Sequence, residues 1–249
     1  MTTPLQREPE LLGQTVVVIG GSAGIGLETA RRARTEGADV ILAARNPERL
    51  AQAAAEVGAR STAAFDVTDP HALDEFFAGL PETIDHLMLT GPGPYYAPLA
   101  DLDLKLAHRD FEAHQWLAVA IAQRAVGRVR PRGTLVFMGG TGGRNRGTGL
   151  SLIAAATAAQ PALIANLAVE VAPIRVNLIA AGFVDTPLSA QLLGEELEAR
   201  RAQLRATLPI RRVVGPADIA ALAVHLMINT AITGATYDID GGQQLVPSE

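Results

Sequence analysis

A glycine-rich turn, Ile19-Gly20-Gly21-Ser22-Ala23-Gly24-Ile25-Gly26, is the first place in this 249-residue chain where residue type and spacing could do chemistry. The apolar run TVVVIG at 15–20 precedes it and a helical pattern from about residue 24 to 36 follows. That context carries the reading, because 24 glycines give many chance matches. Between strand and helix, glycine permits a tight turn and close backbone approach. The helix N-terminus then offers free N–H groups and a partial positive charge to a phosphate. Gly20, Ser22, Ala23, Gly24, Ile25 and Gly26 are therefore candidate contacts to the pyrophosphate of a nicotinamide dinucleotide. The alternative is a turn rich in glycine for packing alone.

About twenty positions on, folds of this kind place an acidic residue on the adenosine ribose, or an arginine where a 2′-phosphate is bound. The second apolar run ends Ala43-Ala44-Arg45, with no carboxylate. Arg45 thus favours NADP(H) over NAD(H), the alternative being a solvated charge at a helix start, since Arg49 lies one turn on.

Several motifs in order resemble the short-chain dehydrogenase/reductase family over roughly residues 12–246. Its Thr-Gly-x-x-x-Gly-x-Gly pattern is matched at Gly20, Gly24 and Gly26, with Ile19 where Thr is usual. Phe65-Asp66-Val67-Thr68 resembles the segment that contacts adenine, which the resemblance assigns to Asp66 and Val67. IRVNLIAAGFVDT at 174–186 resembles the segment along the nicotinamide half, although Ala181 stands where Pro is usual; Gly182, Val184 and Thr186 are its candidate contacts. Thr233-Gly234 and Asp240-Gly241-Gly242 resemble the C-terminal strand. The Asn-Asn-Ala-Gly segment usual after the fourth strand reads Leu89-Thr90-Gly91-Pro92-Gly93, with Gly91 a further cofactor candidate. The implied fold is α/β: one doubly wound Rossmann-type domain at 13–249, with a mainly parallel seven-stranded sheet and a polar tail at 1–12.

The family's chemistry rests on Tyr-x-x-x-Lys with a Ser and an Asn, the cation being needed because an unperturbed phenol near pKa 10 is a poor base at neutral pH. In the register fixed by Asn177 and Gly182, Ile153 holds the Tyr position and Thr157 the Lys position. Gly140 falls where Ser is expected, and His114 in FEAHQW where Asn is expected. Register error does not rescue the motif. The three tyrosines are Tyr95, Tyr96 and Tyr237, Lys105 is the one lysine among 21 basic residues, and Tyr-x-x-x-Lys occurs nowhere. Weak substitutes are Thr141, Tyr95, Tyr96 and His114, an imidazole being suited to acid–base work near neutral pH; each has a packing or loop role as its plainer reading. Arg144 and Arg146 could bind an anionic substrate or be solvated loop charges. His108 and His114 lie six apart without a carboxylate partner in register, and no metal site is expected.

The elements that must position these residues alternate along the chain. Strands are expected at 15–20, 38–44, 60–65, 85–89, 134–138, 174–179 and 236–240. Helices are expected at about 24–36, 46–57 (Asn46 as N-cap, Pro47 at N1), 70–79, 102–127, 150–172, near 188–206, and 216–228. Continuous apolar strands alternating with helices indicate a parallel sheet covered on both faces. The length suits one domain, and no repeat, linker or low-complexity tract appears. The net charge of −5 argues against nucleic acid or an acidic membrane as partner. The lack of cysteine excludes disulfides and thiolate catalysis. MTTPLQREPELLGQ has no apolar run suited to a signal peptide, and no membrane span is expected; cytoplasmic is the simplest localisation.

Three functions follow: an NADP(H) oxidoreductase acting on a small carbonyl or alcohol with its proton from water or a substitute group; an inactive nucleotide-binding pseudoenzyme that senses cofactor or builds an oligomer; or non-redox chemistry in a reshaped pocket. The segment 187–212 that should close over a substrate has no distinctive chemistry. The helix at 150–172 is apolar nearly all round, which predicts burial on all sides in a homotetramer or dimer. Pro161 should remove one of its hydrogen bonds and bend it.

Overall fold

A computed structural model describes residues 8–91, 93–144 and 146–246. Seven parallel strands run in the order β3-β2-β1-β4-β5-β6-β7: β1 (Thr15–Ile19), β2 (Asp39–Ala44), β3 (Ser61–Ala64), β4 (Ile84–Leu89), β5 (Val129–Gly140), β6 (Arg175–Ala181) and β7 (Thr236–Ile239). All are parallel, so the sheet is uniform where the sequence suggested a mainly parallel one. The helices are α1 (Gly24–Thr35), α2 (Pro47–Val57), α3 (Pro70–Gly79), α4 (Leu104–Ala125), α5 (Ser151–Glu170), α6 (Pro187–Leu193), α7 (Leu197–Thr207) and α8 (Pro216–Ile228).

Strand alternation splits the apolar residues into two cores. Val17 and Ile19 of β1 join Leu87, Leu135 and Phe137 under α3, α4 and α5. Val16 and Val18 join Leu42, Met88, Val136 and Ile179 under α1, α2 and α8. Every residue of β1 and β4 is buried, which is why neither shows a polar face in its sequence. The helix start at Asn46 is as read: its side chain accepts from Arg49 N–H, with Pro47 at the first position.

Three expectations change. Leu11, placed in the tail, is fully buried, and its N–H bonds to Glu36 O at 2.9 Å, so it belongs to the core; residues 1–7 of that tail lie outside the described residues. β5 begins at Val129 rather than 134, because Arg132 adopts a left-handed φ of 68° and the pairing with β4 shifts between Ile84 and His86. The segment near 188–206 divides at Gly194, whose φ is 52°, into α6 and α7. Pro161 lies inside one continuous α5, where it has no N–H to donate. That helix alone, among the described residues, is long and apolar enough to cross a bilayer, but Ile153, Ile164 and Leu167 pack it into the core. Its outward side, including Ala158, Ala162 and Val169, is exposed, so this chain by itself does not bury α5 all round.

The N-terminal ends of the strands are held by buried polar groups. Arg175, 5% exposed, donates to the carbonyls of Leu226, Met227, Asn229 and Ile232, satisfying groups at and beyond the end of α8. Asp85 accepts from Thr15 N–H at 2.6 Å and pairs with Arg130 at 2.5 Å. His86, 2% exposed, bonds through Nε2 to the Gln14 side chain at 2.7 Å.

Burial, with the charges of Arg175 and Arg130, pushes the His86 pKa down to about 3. The folded state therefore keeps His86 neutral between about pH 3 and 6.5 while the unfolded state protonates it. Below pH 6.5 the fold should lose stability at up to about 1.4 kcal/mol per pH unit from this group. Urea unfolding of His86→Gln between pH 4 and 7 should show a flatter pH slope than the unsubstituted chain; an unchanged slope would remove His86 as the cause.

Candidate functional site

Strand order reverses between β1 and β4, so the segments after these strands diverge and leave a crevice at their C-terminal ends. The turn into α1 lies there. Gly20 and Gly24 have φ of 89° and 53°, in the left-handed region that favours glycine. A Cβ on Gly26 would overlap the Gly20 carbonyl oxygen, so only glycine lets α1 start this close to β1. The N-cap Ala23 supplies no side-chain acceptor and the first turn has no acidic residue, which leaves first-turn N–H groups for an external anion. Thr186 closes the cradle from α6, its Cβ 3.4 Å from where a Gly24 Cβ would lie. The cradle is shaped for a diphosphate, and its residues fit a nicotinamide dinucleotide.

Arg45 is exposed at the end of β2. Its charge reaches Asp66, whose carboxyl is held below its ordinary value, chiefly by the Thr68 N–H at 2.9 Å. Partial burial opposes this; the Thr68 hydroxyl and the charges of Arg45 and Arg109 reinforce it. Val67 is half-buried behind Asp66. Gly182 is required where it stands, because a Cβ would lie 2.6 Å from Asp240 Cβ. Val184 is fixed by a bridge to Val214.

A cavity of about 1280 Å³ opens from this cradle. Ile25, Gly91, Gly182, Val184 and Thr186 line its cofactor end, and Tyr95, Tyr96, His114, Gly140, Thr141, Ile153 and Thr157 line it further on. The fold thus brings His114, Gly140, Ile153, Thr157 and the substitute candidates Thr141, Tyr95 and Tyr96 to one cavity. Several are turned to structural use. The Thr157 hydroxyl donates to Ile153 O at 2.7 Å, within its own helix, and the Tyr95 hydroxyl accepts from Asp103 N–H at 3.2 Å. Gly140 has Thr157 Cγ2 3.3 Å from its absent Cβ, so the helix closes where a side chain would project.

His114 is different. Its Nδ1 lies 2.8 Å from Asp110 O, and a carbonyl only accepts, so Nδ1 carries a hydrogen and Nε2 is left for other work. The Asp110 carboxylate stands 3.5 Å from Nδ1, with both side chains 10% exposed. Burial raises the Asp110 pKa, while His114 and the Tyr95 N–H oppose that rise. Burial, then the Asp110 charge, raises that of the Tyr96 phenol. Gln160 lies behind the pair and donates to His114 O at 3.4 Å. This corrects the expectation that the histidines lack carboxylates in register: His114 has Asp110 one turn before it, and His108 has Glu112 one turn after it at 3.2 Å. The four-residue spacing was the available signal for Asp110.

A family model described as enoyl-(acyl carrier protein) reductase matches residues 20–244. The chain belongs to the short-chain dehydrogenase/reductase family. One relative, "Short-chain dehydrogenase/reductase ATR9" of Stachybotrys chlorohalonatus, is 27% identical over 94% of this chain and 98% of its own length. Among solved structures, MalC Reductase/Diels-Alderase from Malbranchea aurantiaca superposes with a TM-score of 0.88 at 25% identity, covering 96% of this chain and 99% of that one. A small-chain dehydrogenase in complex with NADPH gives 0.80 at 27% identity, covering 93% and 99%.

In this family member the loop after β5 splits its two arginines. Arg144 forks onto Asp238 of β7, with contacts of 2.5 and 3.1 Å, and also donates to Gln244. It is therefore a structural tie rather than a free substrate contact, whereas Arg146 lines the cavity. Arg200 of α7 lines it too and was missed, because an arginine on a polar helix reads as solvated. Lys105 is exposed in the first turn of α4.

Gly26→Ala should weaken NADPH binding by more than about ten-fold and lower stability by about 1–3 kcal/mol, since its methyl must displace the Gly20 carbonyl. Calorimetric titration and thermal unfolding check this; binding unchanged from the parent would refute the cradle.

Proposed function

We propose that this chain is an NADP(H)-dependent oxidoreductase that interconverts a carbonyl and an alcohol, with His114 handling the proton. One observation carries the reading: the dinucleotide cradle and His114, backed by Asp110, border the same cavity. Bound NADPH would supply a hydride to the carbonyl carbon and leave as NADP⁺, so the carbonyl π pair moves onto oxygen and needs one proton. His114 gives that proton from Nε2 and takes it back in the oxidative direction. Asp110, 3.5 Å from Nδ1, positions the ring. Tyr96 stays protonated in its half-exposed place and can donate a hydrogen bond to the developing alkoxide. Arg45 receives the 2′-phosphate, and solved relatives described as complexes with NADPH support that preference.

The competing readings are an inactive cofactor-sensing pseudoenzyme and non-redox chemistry. The second is favoured by the name Reductase/Diels-Alderase of a structure with this fold. Self-association is part of the proposal, through the exposed apolar surface that α4 and α5 offer at Leu104, Trp116 and Val169. A homodimer or homotetramer would cover it.

Transfer of deuterium from labelled NADPH into a panel of ketones and aldehydes tests the reading. His114→Gln should lower kcat by about 10²-fold or more while NADPH still binds as before. Tight binding with no label transfer to any carbonyl would overturn the oxidoreductase reading. Arg45→Asp should weaken NADPH by about ten-fold, roughly 1.4 kcal/mol, and improve NADH; a parent chain that prefers NADH would refute the role given to Arg45.

A further inference from the structure

We infer that the substrate accepted by this cavity is an amphipathic organic anion, an apolar body ending in a carboxylate or a phosphate-like oxyanion, recognised by Arg200 with Arg146. The inference rests on the oxidoreductase reading for what becomes of that substrate, and on the cavity's own charges for how it is held.

The lining is mostly apolar, from side chains such as Leu150, Phe183, Leu188 and Leu192. Small-molecule sites commonly enclose about 300–1,000 Å³, so 1280 Å³ leaves room for a sizeable body beside the reactive end of a cofactor. The permanently charged residues on its walls are Arg146 and Arg200, and no Asp or Glu among the described residues joins them. That bias opposes the chain's overall charge of −5. It is produced by where the neighbouring carboxylates go. On α7, Arg201 takes both Asp185 at 2.6 Å and Glu198. In the loop after β5, Arg144 takes Asp238. Asp110 sits behind His114 and does not line the cavity.

Arg200 is left with a neutral partner, its Nη1 donating to Gln203 Oε1 at 2.5 Å. Among the described residues it forms no ion pair. The amide of Gln203, one turn on, steadies the guanidinium without cancelling its charge. A cation held over a largely apolar cavity attracts an anion more strongly than one in open water, because low-dielectric walls focus its field. The planar fork of arginine also matches the paired oxygens of a carboxylate or phosphate. An apolar substrate without such a group would leave that charge desolvated and unpaired.

The test is direct binding, which needs no turnover. Calorimetry on the full chain, with and without saturating NADP⁺, would compare four probes with one eight-carbon tail: octanoate, octyl phosphate, octanol and octylammonium. The two anions should bind about ten-fold or more tightly than octanol, with octylammonium weakest, and the gap should shrink as salt is raised. Arg200→Gln should bring the anions close to octanol while octanol and NADP⁺ bind as in the parent; Arg146→Gln should do so in part and guards against a folding defect in the first variant. Equal affinity of anions and octanol, no binding by any probe, or an anion preference that survives Arg200→Gln would overturn the inference. An anion preference in a chain that fails to bind NADP⁺ would sustain it and overturn the oxidoreductase reading instead.

Discussion

The functional end of this molecule depends on one backbone contact, the approach of α1 to β1 across Gly20 and Gly26. Because Gly26 has no Cβ, the first turn of α1 starts against the Gly20 carbonyl just past β1. That closeness aims the uncapped N-terminus of α1 into the crevice where strand order reverses. It also seats Thr29, Ala30 and Ala33 of α1 against the sheet and α8, so the cradle is as rigid as the core beneath it. A single added methyl would have to move a helix, not a side chain.

The parallel arrangement was legible because β1, β2 and β4 are buried on both faces and carry almost no polar alternation. The extension of β5 was not. Val-Arg-Pro-Arg-Gly reads as a turn, and it is held in the sheet by Arg132 taking a left-handed conformation and by Gly133 fitting against the Asp85 carbonyl, which are tertiary matters. The cradle could be read because its glycines answer a local steric demand. Arg200 and Asp110 could not, because their importance comes from what surrounds them. Arg200 gains its meaning only when neighbouring carboxylates turn elsewhere, and Asp110 only when α4 presents one face to a cavity.

The two ends of the sheet treat buried polar groups in opposite ways. At the N-terminal edge, Arg175 spreads its guanidinium over five carbonyls and Asp85 answers both a backbone N–H and Arg130, so these polar atoms serve the fold. At the C-terminal edge, the first turn of α1, the Nε2 edge of His114 and the Arg200 guanidinium retain capacity to bind something else. The N-terminal groups are largely satisfied within the fold, His86 Nδ1 excepted, whereas His114 and Arg200 face a cavity.

The last residues of the chain finish the site that its first strand begins. Gln243 takes the Phe183 N–H at 2.9 Å, Asp238 secures Arg144 beside the cavity, and Val246 is part of the cavity wall. During synthesis the glycine cradle leaves the ribosome before the cavity can be enclosed, since that waits for Gln243 and Val246. The protein therefore passes through a stage in which its nucleotide-binding half is present and its substrate half is open to solvent. Ligand assistance to folding would come first from the nucleotide.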